Sequence, residues 1–193
     1  AEALQVWQAF NQGDGHFHNP EGVAIDSSER VYVADRGNAR IQVFDDAGKF
    51  LNSWTGKVFG PAGLAIRDGE VFVTDAYAYK DEPQGVDTDS IFVFDLDGNL
   101  LRSWGKNGSA SGQFERASGI AISETGLVYI ADSKNHRIQV FSKDGVFENS
   151  WGSYGQADGQ FTNPVGISIS PGGEVYVTET ALTDNPFLPY LEN

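Results

Sequence analysis

At 193 residues and 40% apolar content, the chain can bury one continuous core, and it holds no apolar run of the length that a membrane-spanning helix needs. Against 13 Lys and Arg stand 27 Asp and Glu, a formal charge of -14 that repels phosphate backbones, and no segment gathers the basic residues into a nucleic-acid patch. With no cysteine, disulfide frameworks, thiolate catalysis and cysteine-ligated zinc are excluded together.

In chain order, residues 1–18 carry Trp7 and Gly13-Asp14-Gly15-His16-Phe17, which return later as Trp151 and Ala157-Asp158-Gly159-Gln160-Phe161. This stretch reads as the last strand of a preceding or closing unit. A first full copy spans residues 19–54, with Gly22-Val23-Ala24-Ile25, Val31-Tyr32-Val33-Ala34-Asp35, Arg40-Ile41-Gln42-Val43-Phe44 and Phe50 to Trp54. The same four segments recur over residues 61–104 and 117–151, while residues 164–193 begin a fourth copy whose pattern stops after Glu179. Trp7, Trp54, Trp104 and Trp151 thus recur at about 50 residues, a period of propeller blades or helical repeats.

Short segments rich in Val, Ile, Tyr and Phe that alternate at period two are strands, and no stretch has a helical period. Asp46-Ala47-Gly48, Asp97-Gly98-Asn99 and Asp144-Gly145 fall between the third and fourth segments as hairpin turns. The fold class expected is all-β, a β-propeller of four-stranded blades, with three blades complete and one split or incomplete. Tryptophans at one repeat position are blade packing; Asp35, Asp75 and Asp132, with Arg40 and Arg137, are turn caps or inter-blade pairs. A lack of methionine and a start at Ala1 give the expectation of a processed chain, secreted or periplasmic.

The strings N-P-x-G-[VI]-[AS]-I, V-Y-V-A-D-x-x-N-x-R-I-Q-V-F and W-G-x-x-G-x-x-x-G-Q-F resemble NHL-repeat β-propellers, best over Asn19 to Phe44, Gln113 to Phe141 and Trp151 to Val177. The resemblance implies six-bladed rings, roughly 250 to 280 residues at this period, so the chain is expected to be an arc of a larger ring. Its edge strands would then associate with missing blades or with another chain. The family includes RNA-binding regulators, amidating lyases, sensor domains and protein-binding scaffolds, so the resemblance carries fold rather than function.

Propeller geometry puts the links into each inner strand and the links between second and third strands on one face. His16, His18 and His136 share that face, as do Arg36 and Arg137. The amidating-lyase resemblance implies zinc histidines in P-H-G triplets, but the triplets here are Pro20-Glu21-Gly22, Pro61-Ala62-Gly63, Ala117-Ser118-Gly119 and Pro164-Val165-Gly166. Glu21 is similar instead to the inner-strand glutamate of lactonase-type propellers, which holds a divalent cation. Glu21, His16 and His18 are therefore the candidate ligands of a Ca²⁺ or Zn²⁺ ion.

The second copy is expanded between Asp75 and Ile91, with Tyr77 and Tyr79 among acidic residues, and long loops on rigid scaffolds are where binding specificity lies. Tyr77, Tyr79, Arg36, His136 and Arg137 are the candidate ligand-binding residues. The expected function is an exported, non-enzymatic module that holds a protein, peptide or glycan on this face, without nucleic-acid binding or membrane insertion. The alternative is a metal-dependent hydrolase or lyase, lactonase-like or amidating-lyase-like, with its cation at the channel mouth.

Overall fold

The computed structural model describes residues 13–76 and 89–180. The first blade is β1 (Pro20–Ile25), β2 (Val31–Asp35), β3 (Arg40–Phe44) and β4 (Phe50–Thr55), paired in sequence order and antiparallel throughout. The second is β5 (Pro61–Arg67), β6 (Glu70–Asp75), β7 (Ser90–Asp95) and β8 (Leu100–Trp104), and the third is β9 (Ala117–Ile122), β10 (Val128–Asp132), β11 (Arg137–Phe141) and β12 (Phe147–Trp151). Among the described residues the fourth blade has β13 (Pro164–Ile169) and β14 (Val175–Glu179). The expected all-β propeller blades are present, and they form an open arc. The leading strand around Trp7 and the tail beyond Thr180 lie outside the described residues.

Two apolar layers between blades hold the arc together. Alternation along β6 divides its side chains: Val71 and Val73 pack with Tyr32, Ile41 and Trp54 of the first blade, while Phe72 packs with Ile120, Ile130 and Phe141 of the third. Every central strand therefore buries both faces, which is why these strands read as near-continuous Val, Ile and Phe. The tryptophans tie neighbours at the outer rim. Trp54 sits 5.6 Å from both Tyr32 in its own blade and Phe94 in the next, and Trp104 repeats this with Phe72 and Phe141 at 6.4 and 6.0 Å. Gly98 and Gly145, at positive φ in the hairpin turns of the following blades, lie directly against these indoles, where a Cβ would meet ring atoms within 2.7 Å.

At the axis the inner strands β1, β5, β9 and β13 lie side by side, each irregular in register near its glycine. A Cβ on Gly22 would meet Ala62 O at 2.2 Å, one on Gly63 would meet Ser118 O at 2.5 Å, and one on Gly119 would meet Val165 O at 2.5 Å. The repeated glycine is thus a contact residue: the backbone of the next blade occupies the space of its missing side chain. Where the arc opens, the apolar residues of the pattern are left bare. Val23 and Ile25 are 63% and 64% exposed, whereas Leu64 and Ile120, which match Val23, are buried by a preceding blade.

Gly63→Ala is expected to destabilise the chain by about 2–4 kcal/mol, since backbone on the far side cannot yield without moving a blade. Gly172→Ala, whose Cβ has only Ser170 Oγ at 3.6 Å, is expected to stay within about 0.5 kcal/mol. Urea unfolding of the two variants beside the parent chain checks the contrast.

Candidate functional site

A carboxylate ends the second strand of each blade and receives the loop arriving from the blade before; it is buried in the first three blades and exposed in the fourth. In the first blade Asp35 is fully buried. It accepts the backbone N–H of His18 at 2.7 Å, Arg40 Nε at 2.7 Å, Asn38 Nδ2 at 2.8 Å and Gln42 Nε2 at 3.1 Å. The remaining donors of that pair fix the incoming loop: Arg40 reaches the carbonyls of Gly13 and His16 at 2.8 Å each, and Gln42 donates to His16 O at 2.6 Å while accepting from Gly15 N at 2.9 Å.

The third blade repeats this bond for bond. Asp132 accepts from Glu115 N, Arg137 Nε, Asn135 Nδ2 and Gln139 Nε2 at 2.8 to 3.0 Å, and Arg137 and Gln139 donate onward to the carbonyls of Ala110 and Gln113. In the fourth blade Glu179 takes the same place and accepts from Thr162 N and Asn163 N.

The second blade departs from the plan. Register aligns Ser90 with Arg40 and Arg137, and Phe92 with Gln42 and Gln139. Among the described residues Asp75 therefore keeps only the backbone donors of Phe59 at 2.7 Å and Gly60 at 2.6 Å. Burial pushes its carboxyl above the ordinary 3.8, and the nearby negative charge of Asp89 adds to this against the two N–H donors and Arg36. Asp89, itself buried, accepts from Asn107 Nδ2 and Arg116 N at 2.8 Å each. Between Asp75 and Asp89 runs the expanded link with Tyr77 and Tyr79, and both tyrosines lie outside the described residues.

The predicted face is real in its geometry: Gly37 N donates to His18 O at 2.7 Å and Lys134 N to Glu115 O at 3.1 Å, so inner-strand links and second-to-third links touch. Arg36 and Glu21 are brought together at 2.6 Å, and Arg36 also donates to Ala76 O at 2.7 Å in the second blade. A cation on Glu21 would compete with that guanidinium. His16 Nδ1 lies 3.1 Å from Asp14 O, and His18 packs its ring over Gly37. His136 caps the 3-10 turn of the third blade at φ 56, with Nδ1 2.6 Å from Thr162 O and its ring against Tyr154. No group of three or more His, Cys, Asp or Glu placed to hold a metal occurs among the described residues, so Glu21, His16 and His18 are not gathered into one. Arg137 is part of the Asp132 bracing rather than a projecting side chain.

Sequence reasoning passed over Gln42 and Gln139, although the recurring R-I-Q string carried the signal. It also passed over Arg116, which stands where the other copies have Asn19, Gly60 and Asn163. Arg116 lines an open axial cleft of about 470 Å³ with Glu21, Ser118, Thr178, Thr180 and the inner-strand glycines.

The NHL repeat family matches the chain over residues 17–44 and 114–141, the two copies that hold the complete Asp–Arg–Gln bracing. These two stretches are NHL repeats. It is 50% identical over 52 residues to NHL repeat-containing protein 3 of Homo sapiens, a stretch that covers 25% of this chain and 15% of that protein. Virginiamycin B lyase from Staphylococcus aureus superposes with a TM-score of 0.61 at 17% identity over 83% of this chain and 48% of that one. The WD40 β-propeller domain of Doa1 gives 0.61 at 14% identity over 85% and 49%. The chain therefore spans about half the length of these solved propellers, and the likeness is one of fold.

Arg137→Ala is expected to cost about 3 kcal/mol by leaving the buried Asp132 carboxylate without its cation, and Arg137→Lys to restore little, since a single ammonium cannot replace the fork to Ala110 O and Gln113 O. Asp75 gives a pH signature. Its folded-state pKa is raised, so the native state holds the proton more tightly than the unfolded chain; its contribution favours folding below 3.8 and is lost as pH rises through the raised value. Asp75→Asn is expected to flatten that part of the stability profile, read from urea midpoints between about pH 4 and about pH 7.

Proposed function

We propose that the chain is a protein-binding module whose partner sits on the face formed by the second-to-third strand links, with residues 77–88 of the second blade as the gripping segment. The observation that carries this reading is the difference between blades. In the first and third, that link is a single 3-10 turn held by Asp, Arg, Asn and Gln. In the second the Arg and Gln are replaced by Ser90 and Phe92, and the link lengthens between two strand ends that remain fixed.

A long link with Tyr77 and Tyr79 on a rigid frame is the usual arrangement of a recognition loop: the frame supplies order and the tyrosines supply contact area at low entropic cost. NHL repeats support protein interaction as the role of the scaffold. The charge of -14 favours a partner surface rich in Lys and Arg, with association that weakens as salt is added.

The test replaces residues 77–88 with a tight turn of the first-blade type. Affinity capture from cells of the source organism is compared for the parent and shortened chains, with unfolding midpoints as the control for folding. The expected result is a specific partner captured by the parent and lost by the shortened chain at an unchanged midpoint. Capture of that partner by both chains alike would place the interface elsewhere.

A further inference from the structure

Arginine use in this chain is uniform except at one place. Arg30, Arg36, Arg40, Arg67, Arg102 and Arg137 each form an ion pair with an Asp or Glu. Among the described residues Arg116 forms none and its guanidinium makes no hydrogen bond, in a chain where acids outnumber bases by 27 to 13. Its backbone is also out of keeping, at φ 63, a left-handed conformation that favours Gly or Asn. Asn19, at the matching position of the first blade, adopts φ 50. Arginine at this position therefore strains the backbone and stabilises nothing that the structure shows through its side chain.

The surroundings supply the other half of the argument. Arg116 lines the axial cleft, where the single acidic lining residue, Glu21, is neutralised by Arg36 at 2.6 Å. The cleft is thus a cationic spot at the centre of an acidic chain. Thr178, which lines it from the fourth blade, has a hydroxyl with no hydrogen-bond partner among the described residues. Its counterpart Thr74 is fully engaged, accepting from Gly63 N at 2.7 Å and donating to Ser118 O at 2.5 Å.

We propose that Arg116 makes the axial cleft a binding site for a carboxylate, with the planar guanidinium taking both oxygens and the Thr178 hydroxyl adding a donor. A singly charged carboxylate suits the site better than a phosphate, because the field of the whole chain penalises each further negative charge. The bearer is either a small organic acid or the C-terminus of a peptide. The proposal rests on Arg116 and Thr178 and not on residues 77–88 of the second blade.

Isothermal titration at low ionic strength tests it, with lactate, acetyl-trialanine and acetyl-trialanine amide as probes against the parent chain, Arg116→Asn and Arg116→Lys. Asparagine is the informative replacement, since Asn19 and Asn163 hold the same position in other blades. The expected result is binding of both free acids, weakened about tenfold or more in the amide and in Arg116→Asn, with partial retention in Arg116→Lys and an unfolding midpoint for Arg116→Asn equal to or above the parent. Tighter binding of the peptide acid than of lactate marks a chain terminus as the ligand, and equal binding marks a small acid. No binding by the parent, equal binding of acid and amide, or undiminished binding by a folded Arg116→Asn would each overturn the proposal. None of these outcomes bears on capture by the loop of the second blade, which Arg116→Asn is expected to leave intact.

Discussion

The carboxylate that closes the second strand of every described blade, buried in the first three, is the interaction on which the arc depends. A blade by itself is a small antiparallel sheet with two apolar faces, and nothing in a sheet dictates how the next one is attached. Asp35, Asp75, Asp132 and Glu179 settle that by accepting backbone N–H groups from the loop arriving out of the preceding blade. A hydrogen bond to a charged group is worth about 1.5–3 kcal/mol, and a buried carboxylate left without donors costs at least as much. The loop is therefore held by the penalty for releasing it as much as by the bond itself. Arg40 and Arg137 neutralise two of these charges and carry the restraint further, into the carbonyls of the same incoming loops.

This restraint acts on the face, and two others act at different radii. At the axis, Gly22, Gly63 and Gly119 admit the carbonyl of the adjoining blade into the space of a side chain, which sets the inner spacing. At the rim, Trp54 and Trp104 bridge from an aromatic residue of their own blade to a phenylalanine of the next, which sets the outer spacing. Between them, alternating side chains of strands such as β6 fill the wedge from both sides. A small residue inside and a large one outside is what a wedge-shaped gap between radial sheets demands. Trp151 lies against Tyr129 of its own blade, and the described part of the fourth blade ends before the strand that would bear a bridging phenylalanine.

Repetition is why most of this architecture can be read from the amino-acid order. Overlaying copies separates residues that serve every blade from residues that serve one, and it assigns Trp54, Trp104, Asp35 and Asp132 to the frame before any contact is known. The same overlay identifies Asp95 to Asn99 as a hairpin turn, which the bonds of Asp95 to Asp97 N and Asn99 N bear out. What repetition conceals is direction. Glu21 on β1 and Arg36 in the 3-10 turn after β2 stand 15 residues apart and were read as a cation ligand and a binding residue; folding places them 2.6 Å apart as a pair, with Arg36 bridging to the second blade. Gln42 and Gln139 looked like polar residues of ordinary strands, because their role lies in loops about 26 residues earlier that only the closed blade brings near. Arg116 breaks the pattern of its column, yet a broken pattern shows only that the residue is not needed for the frame.

The second blade shows how such a frame accommodates a new loop without losing its shape. Replacing the charged bracing by Ser90 and Phe92 removes two long side chains that in the first blade bond Asp35 and the incoming loop, while Asp75 still holds Phe59 N and Gly60 N at the strand end. The ends of the lengthened link therefore stay in place, and the entropy of closing it rises only with the logarithm of its length, about 0.6 kcal/mol for each doubling. Burial pushes the Asp75 carboxyl upward, as it does Asp132 beside Arg137, so the shift reflects the buried position that the blades share rather than the lengthened link. Insertion is thus inexpensive in chain entropy. The arrangement persists because the backbone donors of the incoming loop, which every blade supplies, are sufficient to keep the strand ends registered when the side-chain donors are gone.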